Sequence, residues 1–433
     1  MWLEKLKLNK SLVRSITDAG FITPKELQIK TMTRIIGGQD IVAAGPEGCG
    51  KTSTYILGVL TKLKNGFEDA PRALILVPDK ERVLAVMDEI DRLNKNKTIR
   101  VVGLYAAPGI ESQMNDLADG CDIVVATPDR ARALYLKLGL NLNKILVFVV
   151  DDAELIVKQG LQLPVVELAN SISKCQHLIF SEVIHERLNK MIAPFIKDPY
   201  VLEIEELGET AVTAHEQILY HVPNFRTKVN LLSLLLNDAE VFIKAVVFVN
   251  TRLTAEKVYN HLKLTLRDEI AILNPVFFES AGLDSIDSFY DHDKVRVLII
   301  ANELKADWDL TGIPFIIQAE IPEEKEIFIK RILRNHPDDA KALAITFTTD
   351  LELPQMRKIE QAIGQKIPVE ELPGDLIIDV ESKSNDKKVK TVKVKNTVPE
   401  KGEAFHEKKA SNAKDYNYSS GLKAKMNNKK KHS

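Results

Sequence analysis

Short apolar runs alternate with helical patterns along the first two hundred residues of the chain. The runs are predicted to be buried strands, and they lie at residues 41–44, 73–77, 123–126, 145–150 and 177–180. Strands that alternate with helices in this way build βαβ units. The pattern therefore predicts a mostly parallel sheet with helices on both faces, and it places functional residues at the carboxyl ends of the strands.

The same alternation resumes after a linker at residues 203–215 that is rich in acidic and small residues. It begins at 217–222, and further strands are predicted at 245–250, 295–300, 314–321 and 342–347. We therefore expect a first α/β domain over residues 1–207 and a second α/β domain over residues 208–374, followed by a tail over residues 375–433.

The net charge of −2 conceals two regions of opposite sign. Residues 381–433 contain 15 lysines and 6 acidic residues, whereas the rest of the chain contains 44 basic and 55 acidic residues. A tail with few large apolar residues and many lysines is expected to be disordered. Such a tail is either a solvated appendage or an electrostatic tether for nucleic acid phosphates.

Composition restricts the class of protein further. With 45% hydrophobic and 28% charged residues, the chain has the profile of a soluble globular protein. Cys49, Cys121 and Cys175 lack paired spacing, which argues against disulfides or a zinc site and favours a reducing compartment. We expect a cytoplasmic monomer that does not span a membrane.

A glycine-rich turn lies between the first predicted strand and a helix. It has the phosphate-loop pattern Gly-x4-Gly-Lys-Thr in the strand–loop–helix context that such a loop requires. Its backbone N–H groups would surround the β-phosphate, Lys51 would reach the β- and γ-phosphates, and the Thr52 hydroxyl would hold Mg²⁺. The expected nucleotide-binding residues are Gly45, Pro46, Glu47, Gly48, Cys49, Gly50, Lys51, Thr52 and Ser53.

The predicted strand at residues 145–150 is followed directly by Asp151 and Asp152. An apolar strand that ends in carboxylates must end at the surface. Beside a phosphate loop, such carboxylates can bind Mg²⁺ and position the attacking water. Asp151 is therefore the expected metal ligand and Asp152 the expected water-orienting base.

The stretch Gly20-Phe21-Ile22-Thr23-Pro24-Lys25-Glu26-Leu27-Gln28 precedes the phosphate loop by about twenty residues. From here on the chain resembles the DEAD-box RNA helicases of superfamily 2, whose adenine-reading element has the form Gly-Phe-x-x-Pro-x-x-x-Gln. The resemblance implies two tandem RecA-like domains, ATP and Mg²⁺ as cofactors, and adenine contacts from Phe21 and Gln28.

Segments at the strand ends resemble those with which the family holds the RNA backbone. The sequence is Pro78-Asp79-Lys80-Glu81 where the family has Pro-Thr-Arg-Glu, and Thr127-Pro128-Asp129-Arg130 where it has Thr-Pro-Gly-Arg. The fourth motif of the family matches residues 247–252. The resemblance thus implies RNA contacts from Pro78, Lys80, Thr127, Pro128, Arg130 and Arg252.

Other motifs depart from the family. The family's Asp-Glu-Ala-Asp is here Asp151-Asp152-Ala153-Glu154, so the expected base is one methylene shorter, and Ser181-Glu182-Val183 replaces Ser-Ala-Thr. In the second domain, the sixth motif keeps Arg331 and Arg334, which the resemblance makes catalytic, but has Pro337 at its last arginine. Asp309 is the acid retained from the fifth motif, and it is expected to reach the ribose or its surroundings.

Two functions follow from these motifs. The first is an ATP-dependent RNA helicase that separates short RNA duplexes with little sequence specificity. The alternative is a degenerate helicase that binds ATP and RNA as a switchable clamp or scaffold with little hydrolysis. A GTPase is disfavoured, because residues 143–146 lack the aspartate of a guanine-reading Asn-Lys-x-Asp.

Overall fold

The fold is taken from a computed structural model of the chain. It describes residues 10–18, 20, 23–63, 70–94, 96–106, 109–205, 214–277, 280–304, 308–333 and 342–379. The predicted disordered tail falls almost entirely outside these ranges, as do Phe21, Arg334 and Pro337. Within these ranges, no helix combines the length and the apolar character needed to cross a membrane.

The first domain is built on a parallel sheet with strand order β3-β4-β2-β5-β6-β1-β7. Its strands are β1 (Ile41–Ala44), β2 (Ala73–Leu76), β3 (Val101–Leu104), β4 (Ile123–Ala126), β5 (Val147–Val150), β6 (Gln176–Ser181) and β7 (Tyr200–Glu203). Its helices are α1 (Lys10–Asp18), α2 (Glu26–Gly37), α3 (Lys51–Lys62), α4 (Lys80–Leu93), α5 (Ile110–Ala118), α6 (Pro128–Leu136), α7 (Ala153–Lys158), α8 (Gln162–Asn170) and α9 (Glu186–Ile192).

Side chains of the central strands alternate between two hydrophobic cores, one on each face of this sheet. In β5, Val147 and Val149 belong to one core, whereas Phe148 and Val150 belong to the other. A strand that is buried on both faces must be apolar throughout, which explains the continuous apolar runs in the sequence.

The second domain repeats the architecture with strand order β11-β10-β12-β9-β13-β14-β8-β15 and only parallel pairs among these strands. The strands are β8 (Glu216–His221), β9 (Ala245–Val249), β10 (Ile270–Leu273), β11 (Gly282–Leu283), β12 (Val297–Ala301), β13 (Phe315–Gln318), β14 (Leu343–Thr348) and β15 (Val369–Glu370). The helices are α10 (Phe225–Leu236), α11 (Arg252–Leu266), α12 (Ile286–Tyr290), α13 (Lys325–Ile332) and α14 (Leu353–Ile363).

The predicted fold class of two α/β domains with mostly parallel sheets is confirmed. The central strands lie where the sequence predicts them, with ends that differ by at most three residues. Strands near the sheet edges were not predicted. The strand β3 contains Gly103, and β7 alternates between exposed and buried residues, so neither gives the continuous apolar signal of a central strand.

The second domain extends beyond the predicted boundary at residue 374. Leu376 is buried in its core, and the Asn224 side chain donates to the carbonyl oxygen of Asp379 at 2.6 Å. The segment 375–379 therefore belongs to the second domain and not to the tail. The predicted boundary at residue 207 lies in the stretch 206–213, outside the described residues.

Candidate active site

The phosphate loop follows β1 at the centre of the first domain and leads into α3. Gly48 and Gly50 have φ values of 86° and 94°, which glycine adopts without steric cost. At Gly45, a Cβ atom would lie 2.8 Å from the Cys49 Sγ, so a larger residue would force the Cys49 side chain to shift. The sequence thus folds into the turn that exposes backbone N–H groups at the start of a 12-residue helix, where an anion is favoured.

The lysine of this loop closes it from within. The Lys51 ammonium donates to the carbonyl oxygens of Gly45 at 2.6 Å and Pro46 at 3.1 Å, and the side chain is buried. The buried ammonium is thus held by carbonyl dipoles, and its charge also acts on the nearby Asp151 carboxylate, where it opposes the rise in pKa. The loop therefore presents a cation that a phosphate group could recruit from these carbonyls.

The predicted adenine-reading glutamine lies directly against the phosphate loop. Gln28 donates from Nε2 to the Ser53 hydroxyl at 3.0 Å and accepts the Lys25 backbone N–H at 3.0 Å. Both ends of its amide are thus bound by the protein. The structure brings Gln28 and Ser53 together as expected, and the adenine contact of Gln28 stays a prediction.

Two acids end β5 beside the loop. The Asp151 Oδ2 accepts from the Tyr55 hydroxyl at 2.9 Å and lies 3.4 Å from the Thr52 hydroxyl, while its Oδ1 accepts the Asp152 N–H at 3.0 Å. Burial and the charge of Asp152 raise the pKa of Asp151 to about 6. A hydroxyl and a carboxylate set side by side next to a phosphate loop are the ligands that Mg²⁺ takes together with phosphate oxygens. Thr52 and Asp151 therefore fit the predicted metal-binding role.

The second acid is held by an arginine that the sequence did not single out. The Arg82 Nε lies 2.5 Å from the Asp152 Oδ2, and Asp152 is buried in the left-handed region at φ 47°. Tyr55 and Arg82, one on each acid, lie in the first two turns of the helices that follow β1 and β2. Polar residues near the start of a helix that follows a strand were the signal that could have found them.

A third acid joins this strand end to β6. The Ser181 hydroxyl lies 2.6 Å from the Glu154 Oε2 and 2.7 Å from the Val183 carbonyl oxygen. A hydroxyl carries one proton, so when Ser181 donates to the carbonyl, Glu154 must be protonated to complete the second bond. Burial is the main cause that raises the pKa of Glu154 to about 7. The retained serine thus connects the acidic segment after β5 with the end of β6.

Glu154→Gln is expected to gain stability relative to the wild type as pH rises. The pKa of Glu154 is raised from 4.5 to about 7 in the folded protein. The contribution of Glu154 to stability is therefore complete below pH 4.5 and is lost as pH rises towards 7. Glutamine does not titrate, so the difference in unfolding free energy should shift on the order of 2 kcal/mol in favour of the variant.

Urea denaturation at a series of pH values measures this difference. The exposed Glu186, which pairs with Lys190 on the surface of α9, provides the matched control, and Glu186→Gln should show only a small shift. A difference for Glu154→Gln that does not change with pH would show that Glu154 is ionised in the folded protein.

Lys80 and Arg130, two of the three basic residues predicted to contact RNA, lie around one tyrosine at the ends of β2, β3 and β4. The Lys80 ammonium lies 5.5 Å from the centre of the Tyr105 ring, and the Arg130 Nε donates to Gln113 at 2.6 Å. Gln113 in turn donates to the Tyr105 carbonyl oxygen at 3.1 Å. The structure therefore brings Lys80 and Arg130 to one edge of the sheet. Pro78 precedes α4 at this edge, and Thr127 and Pro128 begin α6 there.

Comparison with known proteins agrees with this site. Residues 25–191, which contain the phosphate loop and the acid pair, match the family model described as DEAD/DEAH box helicase. The first domain is a DEAD/DEAH box helicase domain.

Relatives of this helicase domain align over both domains of the chain. The ATP-dependent RNA helicase eIF4A of Kluyveromyces lactis is 25% identical over 374 residues, which cover 86% of this chain and 93% of the relative. The DEAD-box ATP-dependent RNA helicase RhpA of Helicobacter pylori is 25% identical over 371 residues, covering 85% and 74%. A DEAD box protein of known structure from Methanococcus jannaschii is 23% identical, covers 85% of this chain and 98% of that one, and superposes with a TM-score of 0.46.

In the second domain, Arg331 is bound by residues of that same domain. Its guanidinium lies 3.5 Å from the centre of the Phe248 ring and donates to Asn302 at 2.8 Å and Gln318 at 3.1 Å. Burial lowers the pKa of Arg331 to about 9, which leaves the group charged at neutral pH. Asn302 also donates to Asn250 at 2.7 Å. Arg331 thus connects three strand ends of its own sheet, and its predicted catalytic role stays a prediction.

Two further predicted residues also bind within the second domain. Arg252 donates to the carbonyl oxygens of Asn274 at 2.9 Å and Pro275 at 3.1 Å. The exposed Asp309 accepts the Thr311 N–H at 3.0 Å, and bonds from Thr311 lower the pKa of Asp309. The structure does not bring these residues to the phosphate loop, and their predicted contacts with RNA and ribose stay predictions.

The two domains meet beside the phosphate loop. A cavity of about 220 Å³ lies between Pro46 and Glu47 of the loop and the helix α14 of the second domain. Arg357 on α14 is 3.2 Å from Glu205 and 3.5 Å from Glu203. The loop therefore opens towards the second domain, as a site shared by two domains requires.

Proposed function

We propose that the chain is an ATP-dependent RNA helicase, an RNA-stimulated ATPase that locally separates short RNA duplexes. The observation that carries the proposal is the juxtaposition of Thr52 and Asp151 at 3.4 Å beside the phosphate loop. The helicase family match over residues 25–191 and the names of the relatives support it.

Each residue at this site would have a separate role in ATP hydrolysis. Lys51 and the loop N–H groups would bind the phosphates, and Thr52 and Asp151 would hold Mg²⁺, which neutralises charge on the phosphoryl group. Asp152 would orient the attacking water and accept its proton. Burial raises the pKa of Tyr55 well above its usual value, so its hydroxyl stays protonated and keeps donating to Asp151.

RNA would bind through its sugar–phosphate backbone at the edge that carries Lys80 and Arg130. Phosphate contacts of this kind give affinity without sequence specificity. We further propose a cytoplasmic monomer, supported by three free cysteines, and a basic tail that raises the local concentration of RNA.

The second candidate is a clamp or scaffold that binds ATP and RNA with little hydrolysis. The position of Arg331 favours it, because its guanidinium is held by Phe248, Asn302 and Gln318 of its own domain. An arginine finger at the reacting phosphate accelerates phosphoryl transfer about 10³- to 10⁵-fold. If Arg331 keeps these partners and does not reach the phosphate, only Arg334 remains to act as the arginine finger.

Steady-state ATP hydrolysis with and without single-stranded RNA decides between the two candidates. Turnover that RNA stimulates, together with separation of a short duplex in the presence of ATP, supports the helicase. Nucleotide and RNA binding without RNA-dependent turnover would contradict it and support the clamp.

Arg130→Ala is expected to weaken binding of single-stranded RNA about 10-fold and to reduce the salt slope of binding by about one. Arg130 and Lys80 lie around Tyr105 at the ends of β2, β3 and β4, where we propose that they bind RNA phosphates. Removal of the Arg130 guanidinium would therefore remove one phosphate contact. Fluorescence anisotropy at several salt concentrations measures both quantities. Arg132→Ala is the matched control, because Arg132 lies on the same helix and pairs with Glu167. Equal losses in the two variants would contradict the proposed RNA edge.

A further inference from the structure

Arg82 is fixed at the edge of the sheet by the local sequence. Asp79 caps α4 by accepting the Arg82 N–H at 2.8 Å, which places Arg82 in the first turn of this helix. The preceding strand β2 is the neighbour of β5, and Leu76 pairs with Val150. The ends of both strands therefore lie side by side, and the Arg82 side chain reaches Asp152, two residues beyond the end of β5.

Arg82 forms an ion pair with Asp152 at this position. The Arg82 Nε lies 2.5 Å from the Asp152 Oδ2, and the carboxylate is 4% exposed while the arginine is 42% exposed. An arginine at the mouth of the site thus holds a buried acid by one of its two oxygens. A charge-assisted bond of this kind also fixes the orientation of the carboxylate plane.

Two features of Asp152 require a neighbouring group that fixes the orientation of its carboxylate. Asp152 is a non-glycine residue in the left-handed region, with φ and ψ both 47°, a conformation that persists only where surrounding contacts enforce it. Its side chain is also short, so small changes in its orientation move the carboxylate away from a water that it must orient. Neither Lys51 nor Tyr55 binds the Asp152 carboxylate, since their hydrogen bonds go to the loop carbonyls and to Asp151.

We propose that Arg82 is a positioning residue for hydrolysis, which holds the Asp152 carboxylate by Oδ2 so that its other oxygen can orient the attacking water. The arrangement follows the logic of a catalytic base that a third group keeps in place. The inference deepens the proposed function and rests on it, because a chain that does not hydrolyse ATP has no use for an oriented base.

A kinetic cycle on Arg82 and Asp152 tests the inference in the full chain. The variants are Arg82→Gln, Arg82→Lys, Asp152→Asn and the Arg82→Gln/Asp152→Asn double variant, measured for kcat and for KM of ATP at saturating RNA. Arg82→Gln is expected to lower kcat about 10-fold or more, with KM changed by less than about twofold. Asp152→Asn is expected to lower kcat about 100-fold or more.

The Arg82→Gln/Asp152→Asn double variant and the Arg82→Lys variant show whether Arg82 acts through Asp152. If Arg82 acts through Asp152, the double variant should match Asp152→Asn within about twofold, since groups that act as a unit are not additive. Arg82→Lys keeps the charge without the planar guanidinium and should recover part of kcat. An equal further loss from Arg82→Gln in the Asp152→Asn background would overturn the inference, as would an unchanged kcat.

Arg92→Gln is the matched control, because Arg92 lies on the same helix and is paired with Glu89 at 2.6 Å on the surface. It should leave kcat and KM unchanged. A rise in KM as the main effect of Arg82→Gln would show that Arg82 binds the nucleotide directly and would overturn the positioning role. Folding of each variant is checked by its urea midpoint.

A readout without turnover separates failure of this inference from failure of the proposed function. The Arg82 Nε–H resonance should be protected from exchange with water in the wild type and lose this protection in Asp152→Asn, whereas Arg92 should not change. Absence of RNA-stimulated turnover in the wild type would overturn both the proposed function and the inference. Turnover in the wild type with an unprotected Arg82 Nε–H would overturn the inference alone.

Discussion

Replacing Lys51 by alanine is expected to lower RNA-stimulated ATP turnover about 10²- to 10³-fold, since the variant lacks a preorganised cation at the charge of the transferred phosphoryl group. The ammonium is already inside the loop, bound to the carbonyl oxygens of Gly45 and Pro46. A phosphate that replaces these carbonyls gains a full ionic partner at no cost in lysine orientation. The effect should therefore appear in kcat as well as in nucleotide affinity.

Two further variants isolate the ammonium from the packing of the lysine stem. Lys51→Met keeps a long unbranched side chain in a position that is buried, and it should lose as much turnover as Lys51→Ala. Lys97→Ala removes an exposed lysine that pairs with Asp91, and its kcat should equal that of the wild type. If Lys51→Ala retained turnover within about tenfold of the wild type, the hydrolysis would belong to another site or to a contaminant.

Replacing Lys228 by methionine is expected to destabilise the second domain by about 3 kcal/mol. The Lys228 ammonium is 2% exposed and lies 2.6 Å and 2.7 Å from the two oxygens of Glu352. Burial lowers the pKa of Lys228, and Glu352 opposes that shift. Loss of the lysine leaves a carboxylate in a poorly solvated position, where its remaining partners are the N–H and hydroxyl of Thr349.

Urea denaturation, followed by a signal from the second domain, measures the loss. Arg226→Met is the matched control, because the exposed Arg226 lies on the same helix as Lys228, pairs with Asp379 and should change stability by less than about 0.5 kcal/mol. Lys228→Met/Glu352→Gln should recover part of the loss, since the remaining group is neutral. A loss below about 1 kcal/mol for Lys228→Met would show that water reaches Glu352 in the folded protein.

The two helicase motifs of the first domain were predictable because their chemistry is local. Closely spaced glycines and a lysine after a strand define a phosphate loop, and the structure places Thr52 next to Asp151 as that pattern implies. The arginines of the second domain were less predictable. A motif gives the position of Arg331 in the chain, but its partners Phe248, Asn302 and Gln318 lie in or directly after three different strands, β9, β12 and β13.

The alternation of buried strands and helices, the phosphate loop and the acids that end β5 all follow from the amino-acid sequence alone. These features depend on neighbours within a few residues, since periodicity, glycine conformation and strand ends are properties of short segments. The hydrogen bonds from Arg82 to Asp152 and from Tyr55 to Asp151, by contrast, depend on the tertiary structure. Those bonds join residues 70 and 96 positions apart, and they form because parallel pairing brings the carboxyl ends of β1, β2 and β5 to one edge of a single sheet.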